Sequence, residues 1–139
     1  MWVIILYFIH KQGDDLENKR VVVLGASPKR GRYSNMAVRQ LTGTGYEVIP
    51  VNPAYEEIEG VPTVPDLKSI DSEVDTLTMY VNPRLGEKAV DDILSIRPKR
   101  VIFNPGTEAP GLMKALDQEG IFYLEACTLV MLSTGQFSN

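Results

Sequence analysis

The stretch VVVLGASPKRGRYSN, residues 21–35, decides how the chain folds. Four aliphatic residues, three of them β-branched, run into Gly25. A run of that kind ending at glycine predicts a strand buried on both faces. Directly after it, YSNMAVRQLTGTG (33–45) predicts a helix with Met36, Ala37, Gln40 and Leu41 on its inner face and Gly43 and Gly45 as its stop. Between strand and helix sit Lys29, Arg30 and Arg32, grouped around Gly31.

The same alternation continues outward. YEVIPVNP (46–53) predicts a second strand closed by Asn-Pro, and EIEGVPTVPDLKSID (57–71) a Gly-Val-Pro turn with a short helix from about Pro65. VDTLTMYVNP (74–83) is a third strand. RLGEKAVDDILSIRP (84–98) is one helix with Ala89, Val90, Ile93 and Leu94 on one face. RVIFNPG (100–106) is a fourth strand, EAPGLMKALDQEG (108–120) a helix and IFYLEA (121–126) a fifth strand; CTLVMLSTGQF (127–137) fits a short helix or a loop. Strands alternating with helices at this spacing imply a Rossmann-like, doubly wound parallel sheet of about five strands in a three-layer α/β/α sandwich. In such sheets ligands bind at the carboxyl ends of the strands near the switch point. The loops at Gly25, Asn52, Asn82 and Asn104 all begin there.

Composition narrows the function. The chain has 139 residues, enough for one domain. It carries 14 basic and 18 acidic side chains, a net charge of −4, which argues against nucleic acid and anionic membrane as partners. One cysteine, Cys127, rules out a disulfide within the chain and fits a reducing cytoplasm. One histidine, His10, rules out zinc sites built from several His and Cys. The start is unlike the rest: Trp2 to Ile9 is continuously apolar, yet far shorter than the ~20 residues of a membrane span, and it lacks the flanks of a signal peptide. Residues 1–18 therefore read as an N-terminal appendage to a domain over 19–139.

A helix beginning beyond Gly25 presents unpaired N–H groups and the positive end of its dipole to an anion. Lys29, Arg30 and Arg32 add charge, and Ser27, Tyr33 and Ser34 add hydroxyls. The alternative is a helix capped by Ser34 with solvated cations around it. An NAD site would show Gly-x-Gly-x-x-Gly and an acidic residue ending the second strand. Here the loop is Gly25-Ala26-Ser27-Pro28-Lys29-Arg30-Gly31 and the second strand ends at Asn52. The Gly-x4-Gly-Lys-Ser/Thr phosphate loop is absent too.

From about Arg20 to Phe137, the order of VVVLGASPKRGRYSN, PVNP, GVPTVPDL, VNPRLGEKAVDDILSIRPKRVIFNPGTE and GIFYLEACTLVMLSTGQF resembles the small CoA-binding domain proteins. These are related to the nucleotide-binding part of the succinyl-CoA synthetase α subunit and to ADP-forming acyl-CoA synthetases. The resemblance implies coenzyme A or an acyl-CoA as ligand. It implies that Gly25, Ala26 and Ser27, with Arg30, Tyr33 and Ser34, hold the pyrophosphate, with Lys29 and Arg32 beside them. It places Asn52 and Pro53 at the adenosine, Met79, Tyr80, Val81 and Pro83 on the third-strand wall, and Asn104, Pro105 and Gly106 near the pantetheine arm. CoA carries roughly four negative charges at neutral pH, which three clustered cations oppose locally. The net charge of the whole chain is spread beyond the ~8 Å screening length.

The synthetase relatives use a phosphorylated histidine from another domain, and His10 lies in the appendage. Cys127 suits acyl transfer, a mixed disulfide or plain burial; Glu108 and Glu125 are bases near strand ends. The expected role is a stand-alone binding or regulatory module, non-catalytic; the appendage and the last segment leave room for a homodimer without requiring one. The alternatives are an NAD(P)-dependent enzyme, a synthetase component completed by a partner, or a module with a vestigial pocket.

Overall fold

The computed structural model describes residues 19–138; the expected appendage, His10 included, lies outside them. Along the chain the elements are β1 (Arg20–Leu24), α1 (Tyr33–Thr44), β2 (Glu47–Val51), β3 (Glu57–Ile58), β4 (Val61–Pro62), a 3-10 turn (Leu67–Ser69), β5 (Thr76–Met79), α2 (Pro83–Lys88), α3 (Val90–Ile96), β6 (Arg100–Phe103), α4 (Pro110–Gln118), β7 (Phe122–Glu125) and α5 (Thr128–Ser133). Five strands form one sheet in the order β2-β1-β5-β6-β7, and every pairing within it is parallel. The second strand lies to one side of the first and the rest to the other. The switch point therefore falls between β1 and β5, whose register sets Leu24 opposite Met79.

The two-residue period of the strands builds a core on each face. Val22, Leu77, Val101 and Phe103 point to the face covered by the 3-10 turn, α3 and α4, where Leu67, Ile93, Leu112 and Leu116 meet them. Val21, Val23 and Ile102 point to the other face, where Ala37, Val38 and Leu41 of α1 and Met131 of α5 close over them. Twelve of the Val, Leu, Ile and Phe side chains among these, including Val22, Leu77, Phe103 and Leu116, are wholly withdrawn from water. Burying each contributes about 1.5–3 kcal/mol.

Four local expectations change. The inner face of α1 is Ser34, Ala37, Val38 and Leu41, while Gln40 is exposed and Met36 only half-buried. Gly43 lies inside α1, and it is Gly45, at φ +102°, that terminates it. The expected helix over 84–98 is two helices. Ala89 leaves helical geometry at φ −89° and ψ 1°, and its N–H is shared between Leu85 and Gly86, a tightening of the 3-10 kind. The Gly-Val-Pro turn is a β3–β4 hairpin whose turn residues, Glu59 and Gly60, both have positive φ, and the short helix after it is the 3-10 turn from Leu67. The segment left open between helix and loop forms α5. Beyond it Phe137 is buried edge-on against Tyr46, ring centroids 5.2 Å apart.

Candidate functional site

At the switch point the backbone of Gly25 passes against the end of β5. Gly25 has φ +89°, and a Cβ there would stand 2.6 Å from the Tyr80 carbonyl oxygen and 2.9 Å from Val81 Cγ1. Both facts demand glycine. The chain then tightens through Ser27, whose Oγ accepts from the Lys29 N–H at 3.1 Å, and through the Arg32 N–H donating to the Lys29 carbonyl at 3.1 Å. These bonds set α1 at the far side of the loop. Arg32 is its N-cap, and no side chain caps the helix. Ser34 is buried without capping, so the first-turn N–H groups have no side-chain cap among the described residues.

Lys29, Arg30, Arg32 and Tyr33 are exposed around this helix end. Their arrangement includes three residues that the sequence reading missed. Asn35, fully buried, donates to the Ser27 carbonyl at 3.0 Å and to Glu59 Oε1 at 3.2 Å. Arg39, one helical turn on, donates to Asn35 Oδ1 at 2.9 Å and to the Arg30 carbonyl at 3.2 Å. Glu59 reaches in from the hairpin turn to lie 3.7 Å from Arg30 and 4.0 Å from Arg39. The i, i+4 spacing of Asn35 and Arg39 was a usable signal. Nothing in the sequence points to Glu59, because a glutamate at φ +52° is not an expected turn residue.

Two cavities flank the Gly25 crossing. One, of about 330 Å³, lies between the ends of β1 and β2 and is lined by Gly25, Ala26, Asn52, Pro53, Val81 and the carboxyl-bearing Asp66 and Asp92. Asn52 lines it while holding the loops: its Nδ2 donates to the Ala26 carbonyl at 2.8 Å and its Oδ1 accepts from the Ala54 N–H at 2.7 Å. The other cavity, of about 300 Å³, is lined by Tyr33, Tyr80, Asn104, Pro105, Cys127 and Leu129.

Asn104 is the brace of that second cavity. It is buried; Nδ2 donates to Thr78 Oγ1 at 2.7 Å and to the Met79 carbonyl at 2.8 Å, and Oδ1 accepts from the Thr128 N–H at 2.8 Å. The Thr78 and Thr128 hydroxyls lie 2.8 Å apart. The network ties β5, β6 and α5 together beneath the site. The Tyr80 hydroxyl beside it is buried with no hydrogen-bond partner among the described residues. Burial, only partly offset by the neighbouring Thr128 and Thr78 hydroxyls, pushes its pKa up to about 12.

The remaining expected site residues sit further off. Met79 is fully buried in the core and lines neither cavity. Pro83 opens α2, where Asn82 Oδ1 accepts from the Leu85 N–H at 3.0 Å. Gly106 is exposed, and its N–H donates to the Glu108 carboxylate at 3.0 Å. Glu125 is exposed at the end of β7, and Cys127 is a free, half-buried thiol. Among the described residues no cluster of three or more His, Cys, Asp or Glu could hold a metal, and no helix is long and apolar enough to cross a membrane.

Known proteins share this plan. The chain is 40% identical over 63 residues to the uncharacterised protein YneT of Bacillus subtilis, a stretch covering 45% of this chain and 47% of that one. It is 38% identical over 74 residues to acetate–CoA ligase (ADP-forming) I of Archaeoglobus fulgidus, covering 53% of this chain and 11% of the ligase. The chain thus matches under half of the first relative and a small part of the second. A crystal structure of an uncharacterised protein superposes with a TM-score of 0.80 at 42% identity, covering 86% of this chain and 98% of that one. The model of the CoA-binding domain matches residues 19–133, a span that contains the Gly25 loop, α1 and both cavities. The chain therefore belongs to the CoA-binding domain family.

Proposed function

We propose that the chain binds coenzyme A or an acyl-CoA across the carboxyl edge of its sheet, as a binding or regulatory module that does no chemistry on the ligand alone. The pyrophosphate sits on the uncapped start of α1, among Gly25, Ala26, Ser27, Lys29, Arg30, Arg32, Tyr33 and Ser34. The adenosine lies toward Asn52 and Pro53, and the pantetheine arm passes Tyr80 and Val81 toward Asn104 and Pro105. The observation that carries this reading is the pair of cavities on either side of Gly25. Each is at the small end of the ~300–1,000 Å³ range of ligand pockets. Together, with a cationic loop between them, they suit a long ligand with phosphates in its middle.

The two amides in the cavity walls favour holding over chemistry. Asn52 and Asn104 use their amides to fix the loops, and Glu108 closes on the Gly106 N–H. For NAD, the second strand would have to offer a carboxylate where Asn52 stands. A thermal-shift panel of CoA, acetyl-CoA, NAD, NADP and ATP tests the reading. CoA and acetyl-CoA are expected to raise the melting temperature and NAD to leave it unchanged; no shift at millimolar CoA overturns the proposal.

The likeness to the acetate–CoA ligase supports a second reading, a synthetase component completed by another chain. Co-purification with an ATP-grasp protein, and CoA-dependent ATP turnover by the pair, would favour it.

A further inference from the structure

The two cavities beside Gly25 differ in chemistry. The one at β2 is faced by the carboxylates of Asp66 and Asp92. Asp66 Oδ1 already accepts from the Ser69 N–H at 3.0 Å, and Asp92 lies 4.0 Å from the Lys68 ammonium. Spare carboxylate lone pairs there suit groups that donate, such as a purine amine or ribose hydroxyls. The cavity at β6 has no charged side chain in its wall. Its one amide, Asn104, has both donor bonds and its acceptor engaged within the protein. Aromatic rings, a proline, a leucine and a thiol make up the rest of the wall. A charged group entering it would lose water without gaining a counter-ion, whereas an aliphatic group would lose only unfavourable hydration.

We propose that this second cavity receives the acyl group of a short- to medium-chain acyl thioester, lodged among Tyr80, Pro105 and Leu129 and passing Cys127. The proposal rests on the CoA reading and deepens it: the module distinguishes the loaded thioester from the free thiol. It does so by apolar burial, with no covalent step. Charged acyl groups such as succinyl are disfavoured, because the wall offers them no counter-ion.

Titration calorimetry with CoA, acetyl-, butyryl-, hexanoyl- and succinyl-CoA tests it. Affinity should rise from acetyl to butyryl by about fourfold per methylene, the equivalent of burying one CH2, and succinyl-CoA should bind more weakly than butyryl-CoA. Cys127, the chain's only cysteine, supplies an independent readout on the unaltered protein. Butyryl-CoA should slow its alkylation by iodoacetamide, followed by intact mass, at least fivefold more than CoA does at equal occupancy. Leu129→Trp, which fills the cavity, should abolish the dependence on chain length. Equal affinity for CoA and every acyl-CoA, with equal protection of Cys127, overturns the acyl inference and leaves the CoA reading standing. Failure of CoA and all its thioesters to bind overturns both.

Discussion

Gly25 and Tyr80 meet backbone to backbone at the switch point of the sheet: a Cβ on residue 25 would stand 2.6 Å from the Tyr80 carbonyl oxygen. This contact sets the spacing between the two cavities, since Gly25 lines one and Tyr80 the other. Gly25→Ala meets both a positive φ and a backbone clash. The cost should be about 2–4 kcal/mol, seen as a fall in melting temperature of roughly 8–15 °C. A change of only a degree or two would mean that β1 and β5 separate easily, and that the junction does not fix the site.

Glu59 competes for the cations that a phosphate would use. It lies 3.7 Å from Arg30 and 4.0 Å from Arg39, and the Arg30 side chain is 69% exposed. Solvent screens such a pair, so its worth to stability is small, about 0–1 kcal/mol. Its effect on an anionic ligand is more direct. Arg30→Ala should weaken CoA binding about three- to tenfold, and Glu59→Gln should tighten it about two- to fivefold at low salt. Both differences should shrink at 0.5 M salt. Calorimetric titration of the two variants checks the signs; weaker binding by Glu59→Gln would show that Glu59 orients the arginines and does not compete.

Much of the fold was legible because its signals are local. The short apolar, β-branched-rich runs before Gly25, Asn82 and Asn104 read as buried strands, and each break marks the carboxyl edge where the loops gather. What escaped depends on partners distant in sequence. Asn52 and Asn104 were legible as strand-end residues, but four of their five side-chain bonds reach groups 24 to 26 residues away. Met79 alternates onto the core side of β5 and so leaves the wall expected of it. Glu59 enters the cationic corner only because the hairpin turns through two positive-φ residues. The break at Ala89 has no proline or glycine to announce it; the pattern Ala89, Val90, Ile93 and Leu94 still packs on one core across the break.

Asn104 is expected to matter more for stability than its position in a loop suggests. Asn104→Ala leaves the Thr128 N–H and the Met79 carbonyl without their side-chain partner in a buried place, costing about 2–4 kcal/mol. The network also predicts coupling. A double-mutant cycle of Asn104→Ala with Thr78→Val should show an interaction energy of about 1 kcal/mol, from urea denaturation. Additive effects would mean that the 2.7 Å bond between them is dispensable.

Tyr80 gives the site an alkaline signature. Its pKa is raised by burial to about 12 from an ordinary value of 10. In the folded state the hydroxyl therefore keeps its proton where the unfolded chain has lost it. Stability from this group is complete below pH 10 and is lost as pH rises from 10 through 12. At pH 11 the loss should be about 1–1.5 kcal/mol relative to pH 8. Tyr80→Phe removes the titration together with a buried hydroxyl that has no partner among the described residues. The variant should then be at least as stable as the parent at pH 8, and its urea midpoint should fall less between pH 8 and pH 11. Tyr46, whose pKa is also raised by burial, is common to both proteins and cancels in the comparison. A Tyr80→Phe variant that is clearly less stable at pH 8 would show that the hydroxyl is satisfied in solution. Parallel midpoints across the range would show that Tyr80 ionises as easily folded as unfolded.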